Sequence, residues 1–132
     1  MFISSGDAVA EIRPGLRVLI VEDEFMIAMA VEAVVTDAGG VVVDMAATLE
    51  QALQLARSAE LDAALLDINL NGKASFEVAE TLAARGIPYA FVTGYGKQMV
   101  PQAYASVPLL MKPYARSELV RLLGVLASSS SA

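Results

Sequence analysis

Five short apolar runs punctuate the chain: residues 16–21 (LRVLIV), 41–45, 61–66, 87–92 and 109–111. Each has strand length, is rich in branched residues, and is flanked by glycine, proline or a polar cluster. The intervals between them carry a helical period instead. Residues 24–38 read as a helix that Gly39-Gly40 stops. Thr48 caps a second helix running to about residue 59, with Thr48 and Gln51 in capping-box spacing. Residues 75–85 form a third, ended by Gly86, and 116–127 the closing one. The interval 94–107 holds two glycines and Pro101, which leaves room only for a short or irregular helix near residues 98–105.

Alternation of this kind builds an α/β domain around a parallel sheet. Right-handed crossovers then lay helices on both faces, giving a doubly wound five-stranded sheet. Apolar central runs suit strands that are covered on both sides. Residues 1–15 are small and polar and end in Pro14-Gly15, so they read as a partly disordered N-terminal extension. The domain then spans 16–127, and 128–132 is a flexible tail. At 132 residues one domain is the natural count, and it buries roughly two-thirds of its unfolded surface.

Composition narrows the chemistry. Apolar residues make up 56% of the chain and charged ones 18%, which excludes wholesale disorder. Nine basic against fifteen acidic residues leave a net charge of −6, the wrong sign for a nucleic-acid binder. Cysteine is absent, so there is no disulfide, thiolate nucleophile or Cys-bound zinc. Histidine is absent too, which removes a Ser-His-Asp triad, an imidazole base and a phosphohistidine of its own. What remains is carboxylates, hydroxyls, lysine, backbone amides and an oxygen-loving metal. The first residues lack a basic n-region and an apolar h-region, and no apolar run reaches the length of a membrane span. The expectation is a soluble, cytoplasmic protein with no membrane contact.

In an open parallel sheet, ligands bind beyond the carboxyl ends of the strands. Four of those ends are polar here. The first strand runs into Glu22-Asp23-Glu24, the third ends at Asp67, the fourth at Thr93 and the fifth at Lys112. Singly, each has an ordinary use: Asp caps turns, Thr ends strands, and Lys before Pro faces solvent. Four at four strand ends on one edge point to a site.

In order, strand context and residue type, the chain from about residue 16 to 127 resembles the receiver domain of two-component response regulators. The segment Pro88-Tyr89-Ala90-Phe91-Val92-Thr93-Gly94-Tyr95 also resembles the P-F-x-F-A-T-G-Y motif of the FAT GUY response regulators, mostly stand-alone receivers of alphaproteobacteria. Tyr89 replaces the Phe and Val92 the Ala of that motif. The resemblance implies a flavodoxin-like sheet of order 2-1-3-4-5 and Mg²⁺-dependent phosphorylation. Asp67 would accept the phosphoryl group from a phosphohistidine on a histidine kinase or histidine phosphotransfer protein. Asp23, Asp67 and the backbone carbonyl of Asn69 would hold Mg²⁺, with Glu22 acting through water. Lys112 would pair with a phosphoryl oxygen, and Thr93 would donate its hydroxyl to another, beside the Gly94 amide.

Elementary chemistry agrees with these roles. Phosphoryl transfer to a carboxylate needs an in-line nucleophile and neutralised equatorial oxygens. Mg²⁺ asks for octahedral oxygen ligands. Glu22 stands where many relatives carry Asp, and Lys112-Pro113 resembles the family's cis peptide. By the same resemblance the protein is a signalling module and not an enzyme, a monomer or weak dimer.

Two further features are legible. Receivers often carry an aromatic switch residue on the fifth strand, but Leu109, Leu110 and Met111 hold that stretch, so Tyr95 is the candidate switch partner of Thr93. The first helix is apolar nearly all round. Ile27, Val31 and Val34 suit its core stripe, which leaves Phe25, Met29 and Ala33 opposite with Glu32, and Met26 flanking. Phe25, Met26, Met29 and Pro113 therefore make a candidate partner surface beside the acidic site.

The leading expectation is a stand-alone receiver that signals by altered protein binding or onward transfer. An alternative is a receiver-fold interaction module that works without phosphorylation, against which the retention of Asp67 and Lys112 speaks. A flavodoxin-like enzyme or flavin binder is the third. Glu22-Asp23-Glu24 occupies the place of the Gly- or hydroxyl-rich loop that would cradle phosphate, which counts against it.

Overall fold

In β1 (Arg17–Val21), Val18 and Ile20 face one helical layer while Leu19 and Val21 face the other, and all four are buried. That two-sided burial is what an unbroken apolar run demands of a central strand. The structure, a computed structural model, describes residues 11–94 and 100–129. After β1 come α1 (Phe25–Ala38), β2 (Val41–Ala46), α2 (Leu49–Ser58) and β3 (Ala63–Leu66). A small hairpin, β4 (Asn69–Leu70) and β5 (Lys73–Ala74), leads into α3 (Phe76–Ala84). Then follow β6 (Tyr89–Thr93), a 3₁₀ turn at Gln102–Tyr104, β7 (Leu109–Met111) and α4 (Arg116–Ser129).

The main sheet has the order β2-β1-β3-β6-β7, every pair parallel. Apart from the inserted hairpin, this is the expected 2-1-3-4-5. α1 and α4 cover one face through Val31, Val35, Leu119 and Leu123, and α2 and α3 cover the other through Ala52, Leu53, Val78 and Leu82. Capping follows the sequence. Thr48 Oγ1 accepts the Gln51 N–H at 3.1 Å, and Gly39 takes the left-handed conformation that ends α1, with φ +111°.

Three details differ from expectation. Where the sequence after β3 reads as a plain loop over 67–72, the chain folds into the β4–β5 hairpin over residues 69–74, because Asn71-Gly72 supplies a two-residue turn with positive φ at both positions. The core stripe of α1 is Ala28, Val31, Val35 and Ala38, with Ile27 and Val34 only partly buried at its margins. In the N-terminal extension, Ile12 is buried in the α1–α4 core, and the Glu11 and Ile12 amides both donate to Ala38 O. The fourth helical interval is the 3₁₀ turn among the described residues.

Candidate functional site

The parallel sheet places the carboxyl ends of β1, β3, β6 and β7 on one edge, and backbone bonds set their relative depth. The Asp67 N–H donates to Val21 O at 2.9 Å, so the residue after β3 lies beside the end of β1. The Lys112 N–H donates to Thr93 O at 2.8 Å, which fixes the end of β7 against that of β6. Glu22 is held by its own N–H on Ala46 O at 2.9 Å.

Glu22, Asp23 and Asp67 are thereby brought together. Each offers one carboxylate oxygen, and the three atoms lie within 4.8 Å of one another. Lys112 Nζ bridges two of them, donating to Glu22 Oε1 at 2.6 Å and to Asp67 Oδ2 at 3.1 Å. Glu22 and Asp67 are buried and Thr93 is fully so, whereas Asp23 is half-buried. Asp23, Glu24, Asp67, Asn69, Gly94 and Lys112 line an open cleft of about 350 Å³.

The charges respond to this crowding. Burial pushes the Glu22 carboxyl up to about 7, against the opposing pull of the Lys112 bond and the Glu24 N–H, and the nearby Asp67 charge adds to the rise. Burial also works against the Lys112 ammonium, but the two carboxylates outweigh it and hold the lysine above its ordinary value. An all-oxygen cluster opening on a cleft fits a hard divalent cation such as Mg²⁺, which would relieve the mutual repulsion of three acids.

Of the other sequence-derived candidates, Asn69 lies at the start of the hairpin and lines the cleft. The Lys112-Pro113 peptide is cis and Pro113 is exposed. On α1, which begins two residues after Asp23, Phe25 is 67% exposed, Met26 78% and Met29 43%. Tyr95 lies outside the described residues.

Sequence reasoning missed an aromatic cluster behind Thr93. Phe91, two residues earlier on the same face of β6, meets Phe76 edge-on at 5.7 Å and Tyr104 at 6.0 Å between ring centroids. Tyr104 stacks on Phe76 at 5.1 Å. The available signal was Tyr104, the aromatic within residues 98–105. The hairpin was missed as well, although Asn71-Gly72 is a strong turn dipeptide.

A carboxylate cluster with an opposing lysine, at the carboxyl edge of a doubly wound sheet, is the arrangement of a phosphoryl-accepting signalling domain. The chain belongs to the response regulator receiver domain family, whose sequence profile matches residues 18–123. Solved structures agree in fold. The receiver domain protein (CheY-like) of Methanospirillum hungatei JF-1 is 25% identical, with a TM-score of 0.78 over 88% of this chain and 96% of that one. SdrG of Sphingomonas melonis Fr1 is 37% identical, with a TM-score of 0.76 over 85% of this chain and 96% of that one. The receiver domain of sensor histidine kinase PA1611 from Pseudomonas aeruginosa PAO1, solved with a magnesium ion coordinated in its active-site cleft, is 26% identical, with a TM-score of 0.75 over 86% and 98%. A search of curated proteins returned no significant match. Among the described residues, no helix is long and apolar enough to cross a membrane.

Proposed function

We propose that this receiver domain takes a phosphoryl group from a phosphohistidine onto Asp67, in a reaction that requires Mg²⁺. The observation that carries the reading is Lys112 Nζ bonded to both Asp67 and Glu22 at the mouth of an open acidic cleft. An Asp67 carboxylate oxygen attacks phosphorus in line with the leaving nitrogen. The new P–O bond forms as the P–N bond breaks, and the electron pair stays on the partner's imidazole. Lys112 can move from its carboxylate partners onto a phosphoryl oxygen, exchanging one charge-assisted bond for another. The Thr93 hydroxyl and the Gly94 amide are the groups that would meet the remaining oxygens, and Thr93 thereby becomes the first residue to respond to phosphorylation.

Asp23, Asp67 and the Asn69 carbonyl would hold the Mg²⁺, with Glu22 nearby. When bound, the ion supplies positive charge to the equatorial oxygens. The magnesium-bound PA1611 receiver supports this assignment by likeness. The donor would be a histidine kinase or histidine phosphotransfer protein, because this chain contains no histidine. Its docking surface would include Phe25, Met26, Met29 and Pro113, exposed apolar side chains close to the cleft. The test is phosphotransfer from purified, autophosphorylated histidine kinases with Mg²⁺ or with EDTA. Label should reach this chain from at least one kinase and only with Mg²⁺; transfer that is indifferent to EDTA contradicts the reading.

A further inference from the structure

We propose that Asn71, through its main chain, is a positioning residue for the acidic site, and that the β4–β5 hairpin is the strap that carries it. This rests on the reading of Asp23 as a metal ligand and concerns what holds Asp23 in place. Asn71 and Gly72 have φ of +53° and +88°. Asn enters this left-handed region at little cost, whereas a β-branched residue is strained there. The turn so formed aims the Asn71 N–H at Asp23 Oδ2, 3.0 Å away and 48 residues distant in sequence. The Asn71 side chain itself is exposed.

The strap is pinned along its length. Asn69 Oδ1 accepts the Gly72 N–H at 2.7 Å, which closes the turn. Leu70 is buried in the α2–α3 core. The buried Ser75 donates its hydroxyl to Asp67 O at 2.7 Å and its N–H to Ile68 O at 2.8 Å. One short segment thus starts at the main chain of Asp67, ends by bonding back to it, and delivers an amide to Asp23. An outer partner on one carboxylate oxygen fixes the orientation in which the group meets a cation, and losing such partners typically weakens metal affinity about 10–100-fold.

The experiment compares Asn71→Val with Asn71→Gly in the full chain. Both keep the amide and both remove the Asn side chain; only Val resists the positive φ. Mg²⁺ affinity is read from the dependence of melting temperature on Mg²⁺ concentration. Asn71→Val should bind about tenfold more weakly, the low end of that range, and Asn71→Gly within about twofold of wild type. Phosphorylation of Asn71→Val should recover at saturating Mg²⁺, which places the defect in metal binding and not in the transfer step. A metal-free readout accompanies it: in EDTA, hydrogen exchange at the residue-71 amide should be slow in wild type and fast in Asp23→Ala. Should Asn71→Val fail to fold, Asn71→Ala makes the same comparison with less strain. Wild-type Mg²⁺ affinity in the Val or Ala variant, equal weakening in Gly and Val, or equal exchange in wild type and Asp23→Ala would each overturn the proposal. A wild-type protein that binds no Mg²⁺ overturns instead the metal-site reading beneath it.

Discussion

Replacing Lys112 by Met removes the cation that, among the described residues, Glu22 and Asp67 share. Both carboxylates are buried, with side chains only 5% and 10% exposed, and the lysine is 19% exposed. Stripping one partner from a fully buried ion pair costs about 3–5 kcal/mol. The cleft admits water and Glu22 can take up a proton, so the expected loss in metal-free protein near pH 8 is smaller, about 2–3 kcal/mol. At about 4 °C per kcal/mol for a domain of this size, that is a fall of roughly 8–12 °C in melting temperature. The pH dependence has a definite sign. Glu22 titrates near 7 in the folded protein instead of at 4.5, so the folded state holds a proton that the unfolded chain has released. Stability from this group is therefore full below about 4.5 and is lost as pH rises through 7. Losing Lys112 raises the Glu22 pKa further, so the gap between Lys112→Met and wild type should widen from about pH 5.5 to about pH 8. Mg²⁺ should narrow it, and the variant should bind the ion more tightly than wild type, because the Lys112 ammonium no longer competes for the same oxygens. Thermal melts in EDTA and in Mg²⁺, at low salt and both pH values, measure all of this. Equal stability of variant and wild type in EDTA near pH 8 would refute the reasoning.

Two other outcomes are expected. Asp23→Ala should lose most of the Mg²⁺-dependent rise in melting temperature, which in wild type corresponds to about 2.7 kcal/mol at a hundredfold excess over Kd; an undiminished rise in the variant would place the ion elsewhere. Gly40→Ala would put a Cβ 2.9 Å from Val35 Cγ1, 3.1 Å from Ile12 Cδ1 and 3.2 Å from Leu16 O, the last a backbone atom that cannot swing aside. Overpacking of this kind costs about 1–3 kcal/mol, measurable by urea denaturation, and a neutral substitution would mean that Ile12 does not pack as described.

The central strands were readable because burial on both faces leaves an unbroken apolar run, and their ends slipped by only a residue or two. Leu16 is buried but precedes β1, and Thr93 falls inside β6. Helix α1 was harder. Its sequence is apolar on nearly every side, so period alone could not separate the Ala28–Val31–Val35–Ala38 stripe from its neighbours. The hairpin hid because each of its strands is two residues long, too short to show alternation around Asn71-Gly72. Ile12 sits between Glu11 and Arg13 with no period to mark it, and its place in the core comes from packing with α1 and α4 that the local sequence does not show.

The site was readable for a topological reason: parallel strands put their carboxyl ends on one edge, so polar residues scattered through the sequence must converge. The pairing inside the cluster was not, since nothing local to Lys112 says that it reaches Glu22 and Asp67 together. Glu22 reads as one acid among three in sequence, and only its burial sets it apart from Asp23.

The most direct measurement is the location of the phosphoryl group. Wild type and Asp67→Asn are treated with a small-molecule phosphodonor and Mg²⁺, then analysed by intact mass and by peptide mapping after borohydride trapping of the acyl phosphate. Wild type should gain the mass of a single phosphoryl group, mapped to Asp67, and Asp67→Asn should gain none. Undiminished incorporation into Asp67→Asn, or a label mapped to another residue of the wild-type chain, would contradict the account.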